Sequence, residues 1–426
     1  MQGDLLWHPF TQEKTKGKQI HIERGEGTKI FDASGKSYLD MISSWWVNLH
    51  GHANLEIADA IYKQAKKLEH VIFAGFTHTP AVELCTELNK FLPESLVKFF
   101  FSDNGSTSVE VALKMAYQFW FNGGERNRTI FLCFEGAYHG DTFGAMSVSA
   151  IPKFHGVFKE LFFKSVAIPF PNTWDNDNEV EEKEQNALRV LEECLESYGN
   201  QVAAFIMEPI IQGASGMRYA RPSFVQKVCE LLRNYGILLI FDEVMTGFYR
   251  TGKMFALEHV GVAPDIICLS KGLTGGFLPL ALTVTTKRIY DAFLGDGFDK
   301  ALAHGHSYTA NPIACAAAIA SACLLSRDET VKSVNKIVSI QKASIEKLYS
   351  IFSSVIMRPR CFGTIAAFDL DDKSYNIKDV SLKLLDMGVF IRPLGSTIYL
   401  LPPYCISQDE LAYSYRAIED CLKIAL

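Results

Sequence analysis

Two short runs decide how this chain is read: Ile237-Leu238-Leu239-Ile240-Phe241-Asp242-Glu243 and Ile266-Ile267-Cys268-Leu269-Ser270-Lys271-Gly272. Each is a handful of unbroken apolar residues ending on polar ones. A half-exposed strand alternates apolar and polar residues, whereas a continuous apolar run of this length reads as a strand covered on both faces. Five more runs of the same kind follow the same rule: Lys98–Ser102, Thr129–Phe134, Val166–Ile168, Ala203–Met207 and Leu280–Val284. Amphipathic stretches lie between them. Ser108–Trp120 puts Val109, Ala112, Leu113, Ala116 and Trp120 on one face. Glu179–Tyr198 does so with Leu188, Leu191, Leu195 and Tyr198, with Gly199 as the expected stop. Ser223–Tyr235 carries Phe224, Val228 and Leu231 before Gly236. Alternating strands and helices predict an α/β sandwich around a seven-stranded, mostly parallel sheet with right-handed crossovers.

Both ends of the chain read differently. Residues 18–42 alternate like a small antiparallel sheet, with turn signals at Gly25-Glu26-Gly27-Thr28 and Asp32-Ala33-Ser34-Gly35-Lys36. From about residue 313 an Ala-rich helix and a polar helix precede strand-like segments at 363–370, 388–392 and 397–401. The expectation is a large domain, residues 54–312, and a smaller α+β domain built from residues 1–53 and 313–426.

Bulk properties narrow the class. The chain has 426 residues, 48% hydrophobic and 21% charged, which is ordinary for a globular protein. No stretch has the apolar length of a membrane span. Met1-Gln2-Gly3-Asp4-Leu5-Leu6-Trp7 lacks the basic-then-apolar pattern of a secretory signal. A net charge of −6 argues against nucleic acid or an anionic membrane as the main partner. The ten cysteines are scattered with no C-x-x-C, so they read as reduced core residues of a cytoplasmic protein. The acidic stretch Asp175, Asp177, Glu179, Glu181, Glu182, Glu184 reads as a loop and helix N-terminus with solvated carboxylates.

The candidate chemistry gathers at strand ends, where open α/β sheets bind ligands. Lys271 and Asp242 close two of the runs. A lysine that condenses with an aldehyde, and an acid that pairs with a protonated pyridine nitrogen, are what pyridoxal 5′-phosphate (PLP) chemistry requires. After Lys98–Ser102 comes Asp103-Asn104-Gly105-Ser106-Thr107 at a helix start. This is either a phosphate site or an ordinary N-cap, Ser106 or Thr107 with Glu110 as box partner. After Thr129–Phe134 comes Glu135-Gly136-Ala137-Tyr138-His139-Gly140, whose Tyr138 or His139 either stacks on a flat cofactor or is a satisfied local group. His304-Gly305-His306-Ser307-Tyr308-Thr309 is rich in rings and hydroxyls. The two histidines have no carboxylate or cysteine beside them, so no metal is expected. In Trp45-Trp46, strand neighbours would face opposite sides, so one ring is expected to line a cleft or an interface. Arg392, inside an apolar run, needs an anionic partner, either a substrate carboxylate or an internal Asp or Glu.

Taken together, Phe241-Asp242-Glu243-Val244, Thr246-Gly247-Phe248, Arg250-Thr251-Gly252, Asp265 and Ser270-Lys271-Gly272 resemble the cofactor signature of the class III (ω-type) aminotransferases of PLP fold type I. The likeness covers nearly the whole chain. Trp7-His8-Pro9-Phe10-Thr11, Ser43-Ser44-Trp45-Trp46, Tyr138-His139-Gly140-Asp141-Thr142, Ile391-Arg392-Pro393 and Tyr399-Leu400-Leu401-Pro402-Pro403-Tyr404 resemble the branch acting in biotin biosynthesis. That branch implies 8-amino-7-oxononanoate as acceptor and S-adenosylmethionine as amino donor, with lysine as the alternative donor. The resemblance implies that Lys271 forms the Schiff base and shuttles the proton, Asp242 holds the pyridine nitrogen, and Tyr138 stacks on the ring. It implies that Gly105 and Ser106 hold the phosphate, with Ser307 of a second subunit closing the cup of a homodimer. Phe10, Trp45, Trp46, Tyr138, Lys271, Gly305 and Arg392 would line the substrate pocket, with Arg392 on the carboxylate. Two departures stand out. Phe10 lies where some members have a tyrosine, and His306-Ser307-Tyr308 replaces the Pro-Thr-Phe of some members. The rival readings are a class III enzyme for ornithine, γ-aminobutyrate or polyamines, and a non-catalytic protein of the same fold. The tryptophan pair and Arg392 speak against the first, and intact Lys271 and Asp242 against the second.

Overall fold

The computed structural model describes residues 5–17, 19–371 and 373–423. Met1–Asp4 of the N-terminal stretch and position 18 of the first alternating segment lie outside the described residues. All seven continuous apolar runs form one sheet. Its spatial order is Leu96–Ser102, Ala281–Thr286, Ile266–Leu269, Leu238–Asp242, Val202–Met207, Ile130–Phe134, Ser165–Ile168. Ala281–Thr286 is antiparallel to both of its neighbours, and the other pairs are parallel.

Side-chain alternation explains why the runs are unbroken. Phe131 and Cys133 pack on one face against Val109, Ala112, Ala116 and Trp120 of the helix Gly105–Asn122. Leu132 and Phe134 face the other way, toward Leu191, Leu195, Phe224 and Val228 of the helices Val180–Tyr198 and Pro222–Asn234. Both faces are covered, so neither has a polar residue to show water. Burying one such large side chain contributes roughly 1.5–3 kcal/mol.

Smaller sheets complete the fold. Ile22–Glu26, Lys29–Asp32 and Ser37–Asp40 form an antiparallel meander, and Val389–Phe390 adds in parallel beside Ser37–Asp40. Ile356–Phe362, Ile365–Leu370 and Thr397–Leu400 make a three-stranded antiparallel sheet. The Ala-rich helix, Pro312–Leu325, packs on Leu55–Ala65 and Thr79–Asn89.

Several local expectations are corrected. The helix does end at Tyr198 with Gly199 as its C-cap, but Gly199 is not left-handed: its φ is −52°, and the chain tightens into a 3₁₀ turn, Gly199–Gln201. Tyr198 is exposed, and Leu232 rather than Leu231 is the fully buried leucine of its helix. Cys323 and Cys405 are exposed, not core residues. Two of the acidic residues are not solvated: Glu184 is buried against Arg221 at 2.6–2.7 Å, and Asp177 takes Lys183 at 2.9 Å. Among the described residues, no helix is long and apolar enough to cross a membrane.

Candidate active site

The parallel strands bring their carboxyl ends to one edge. Asp242 lies beside Cys268 across the sheet, and Lys271 follows three residues later, just past the strand end. A cavity of about 650 Å³ opens there. Lys271, Asp242, Gly105, Ser106, Tyr138 and Trp46 all reach it, together with His139 and Glu208.

Lys271 begins a short 3₁₀ turn with φ +48°, a left-handed conformation that costs a residue with a β-carbon about 1–2 kcal/mol. Its Nζ lies 4.6 Å from the centre of the Trp46 ring. Burial pulls the amine below its ordinary pKa, while Asp242 and Glu208 pull the other way. An amine nearer neutrality is the nucleophilic form.

The Asp242 carboxylate accepts from His139 Nδ1 at 2.7 Å and from the Val244 amide at 3.0 Å. His139 is thus neither a stacking ring nor a merely satisfied group, because it orients the acid. Glu208, directly after the strand Val202–Met207, is a second buried acid. Its carboxylate accepts the Tyr138 amide at 3.1 Å and the Gly213 amide at 2.9 Å. Burial pushes it up to about 7, helped by the charge of Asp242 and opposed by His139 and the two amides. The signal for Glu208 was its place at a strand end; nothing in the sequence showed that it faces inward.

A raised carboxyl pKa has a definite sign in stability. The stability tied to Glu208 is present below about 4.5 and is lost as pH rises through about 7. Glu243 is also raised to about 7 by burial, so a variant lacking Glu208 keeps part of this slope. The expected result is that Glu208→Gln flattens the fall in melting temperature of the cofactor-free protein between these pH values. Parallel curves for variant and wild type would contradict the assignment.

The helix after Leu96–Ser102 starts at Gly105, and its N-cap is Asn104, boxed with Thr107 rather than Glu110. Glu110 instead accepts the Gly144 and Ala145 amides at 2.7 and 3.1 Å. Gly105 and Ser106 are left at the cavity as the first residues of the helix, with their N–H groups outside the intrahelical ladder. Ser106 Oγ lies 2.9 Å from Thr142 Oγ1. Gly140, at φ +123°, passes so close to Ser106 that a β-carbon there would collide with it. Tyr138 donates to Asp141 at 2.8 Å and stacks on His155 at 5.8 Å between ring centres. Burial first, then Asp141, raises its phenol well above the ordinary range, so it stays protonated.

The tryptophans do not sit on a strand. Ser43–Trp46 forms a single turn in which all four residues have left-handed φ, +49°, +45°, +73° and +73°. The two rings still part. Trp46 is buried and donates Nε1–H to Tyr399 Oη at 3.0 Å. Trp45 is exposed and outside the cavity lining, next in the chain to Trp46, and forms an aromatic rim: the Arg392 guanidinium stands 4.6 Å over its ring and Phe10 meets it edge-on at 5.7 Å. Phe154 continues this rim, 5.5 Å from Phe10 and 6.4 Å from Tyr138. Arg221, Arg327, Arg358 and Arg360 each pair with a carboxylate. Arg392 pairs with none among the described residues, so its fork is free. Of the residues expected to line the pocket or cup, Phe10, Trp45, Gly305, Ser307 and Arg392 are not among those lining this cavity within one chain.

The fit to PLP can be judged from these groups. The cavity offers helix N-terminal amides for a phosphate, an oriented carboxylate for a ring nitrogen, and a desolvated amine for an aldehyde. The chain belongs to the class-III aminotransferases, which are PLP-dependent transaminases: the family model "Aminotransferase class-III" matches residues 11–422. Within that class its relatives are specific. It is 49% identical over 423 residues to the adenosylmethionine-8-amino-7-oxononanoate aminotransferase of Synechococcus elongatus, covering 98% of each chain. The crystal structure of the enzyme of that name from Methanocaldococcus jannaschii superposes with a TM-score of 0.90 at 36% identity, covering 98% and 97% of the two chains. An amine transaminase from an uncultivated Pseudomonas species, in PLP-bound form, gives 0.93 at 31% identity over 99% of each chain.

Proposed function

We propose that this enzyme transfers an amino group to 8-amino-7-oxononanoate, giving 7,8-diaminononanoate for biotin biosynthesis, with S-adenosylmethionine as donor. The observation that carries the reading is the Arg392 guanidinium, without a carboxylate partner among the described residues, set over Trp45, whose chain neighbour Trp46 lines the cavity beneath Lys271. A rim that joins a free arginine fork to aromatic faces suits an apolar chain ending in a carboxylate. The names carried by relatives at 36–49% identity support the same acceptor.

Each side chain then has a task. Gly105 and Ser106 would hold the phosphate, and Tyr138 would lie against the ring. Asp242, oriented by His139, would hold the pyridine nitrogen. Bound PLP supplies the electron sink that lets an amine lose its α-proton and pass its nitrogen on. Lys271 Nζ takes that proton from the donor and later returns one to the acceptor carbon. Trp46 beneath the amine keeps water from it. Arg392 holds the acceptor carboxylate. The exposed faces of Phe10 and Trp45 suit a sulfonium donor. Phe10 brings no hydroxyl, so a donor contact of that kind is absent here, and lysine is the alternative donor.

The reading includes a cytoplasmic homodimer with Ser307 of each subunit serving the phosphate of the other. It also includes a small domain from residues 1–53 and 313–426 beside a large cofactor-binding domain of residues 54–312. The parallel pairing of Val389–Phe390 with Ser37–Asp40 supports joining the two ends. A mixed dimer of Lys271→Ala with Ser307→Ala is expected to keep one site free of both lesions, and full activity from a monomer would contradict the sharing.

The experiment for the substrate is an amination assay with purified enzyme, 8-amino-7-oxononanoate and each donor in turn. Product with S-adenosylmethionine supports the whole reading. Product with lysine alone would move the donor, and no product with either would reject the acceptor. Arg392→Ala is expected to raise KM for the acceptor about tenfold to a hundredfold, the scale of one lost charge-assisted contact. An unchanged KM would remove Arg392 from the substrate.

A further inference from the structure

The left-handed turn Ser43–Trp46 is a position of stored strain, since four successive residues with β-carbons take a conformation that each resists. Such a turn persists only where its surroundings over-determine it. The determinant is Asp40. Its carboxylate is buried and accepts the Ser44 amide at 3.0 Å, the Ser44 hydroxyl at 2.6 Å and the Ile42 amide at 3.4 Å. His52 Nε2 sits 2.9 Å from its second oxygen. His52 is itself fixed, because its backbone bridges Gly27 at 2.7 and 3.1 Å and its side chain fills the space above Gly25. The far end of the turn is held by Arg250, buried and without a carboxylate partner among the described residues, which donates to the Trp46 and Asn48 carbonyls at 3.1 and 3.2 Å.

The turn carries both ends of the site. Trp46 lies under Lys271 Nζ, and Trp45 lies under Arg392. Gly276, five residues after Lys271, passes so near Val47 that a β-carbon there would meet its carbonyl carbon and oxygen at 3.0 Å. A shift of the turn therefore moves the floor of the amine and the rim of the pocket at once.

We propose that Asp40, backed by His52, is a positioning residue that holds Ser43–Trp46 left-handed and so sets Trp46 against Lys271 and Trp45 against Arg392. This rests on the substrate reading above only for the role of the rim. Burial alone would raise the Asp40 carboxyl, but the His52 and Ser44 hydrogen bonds outweigh it and hold it below the usual range, as a strong acceptor requires.

Glycine takes left-handed φ without strain. Once Asp40 is gone, Ser44→Gly should therefore restore what Asp40 supplied. In the holoenzyme, Asp40→Ala is expected to lower kcat/KM for the acceptor about a hundredfold, the scale of an ångström of misplacement, with KM raised. In the cofactor-free protein it should change the near-ultraviolet circular dichroism of the tryptophan pair. The double variant Asp40→Ala/Ser44→Gly should recover both signals by at least about tenfold in kcat/KM. If Asp40→Ala does not fold, Asp40→Asn should show the same two signals, smaller, with the same correction by glycine. Unchanged KM and dichroism in a folded Asp40 variant would overturn the proposal. So would a folded double variant with no recovery, since an indirect loss of stability would not be repaired by freeing φ at residue 44. If the wild type fails to aminate 8-amino-7-oxononanoate, the substrate reading fails, and the dichroism still decides the role of Asp40.

Discussion

Lys271→Ala is expected to lower turnover by about five orders of magnitude or more, the scale seen when a group essential to a covalent mechanism is removed. The fold should survive. The side chain lies against Trp46 at the cavity floor, and truncating it leaves space next to a cavity rather than a void in the sheet core. Its backbone strain at φ +48° is little altered by alanine, so the 3₁₀ turn Lys271–Thr274 keeps its reason to form. The measurement is steady-state amination by a variant whose dichroism and melting match the wild type. Turnover within tenfold of the wild type would show that another group takes the proton.

Asp242→Asn is the second large effect. The substitution keeps shape and still offers an oxygen to His139 or the Val244 amide, at present 2.7 and 3.0 Å away. It removes the negative charge that, in the proposed role, would hold a proton on a pyridine nitrogen. The expected loss in kcat is about 10²–10³, as for one preorganised electrostatic group, with PLP still bound. Near-normal kcat would take Asp242 out of the chemistry and leave it a structural acid.

Much of this was readable beforehand because burial on both faces writes itself into sequence as unbroken apolar runs. Leu238–Asp242 and Ile266–Leu269 needed no other signal, and their last residues fall at the edge where ligands bind. What stayed hidden depends on groups distant in the chain. Tyr138-His139 gave no sign that the histidine would turn inward to Asp242, a contact between residues 103 positions apart. Glu184 looked solvated because the partner that buries it, Arg221, comes from another helix. The left-handed turn at Ser43–Trp46 contains no glycine, the residue that would have announced it; a carboxylate and a buried guanidinium hold it instead. Gly305 and Ser307 are not among the residues lining the cavity of their own chain, which no local pattern in the sequence showed.

The central claim is that Lys271 is the residue that joins covalently to PLP. Borohydride reduction of the purified holoenzyme fixes that link, and peptide mass mapping locates it. The account predicts a single modified lysine, Lys271, with the modification lost after preincubation with an amino donor. Modification of any other lysine, or none in an enzyme that turns over, would contradict it.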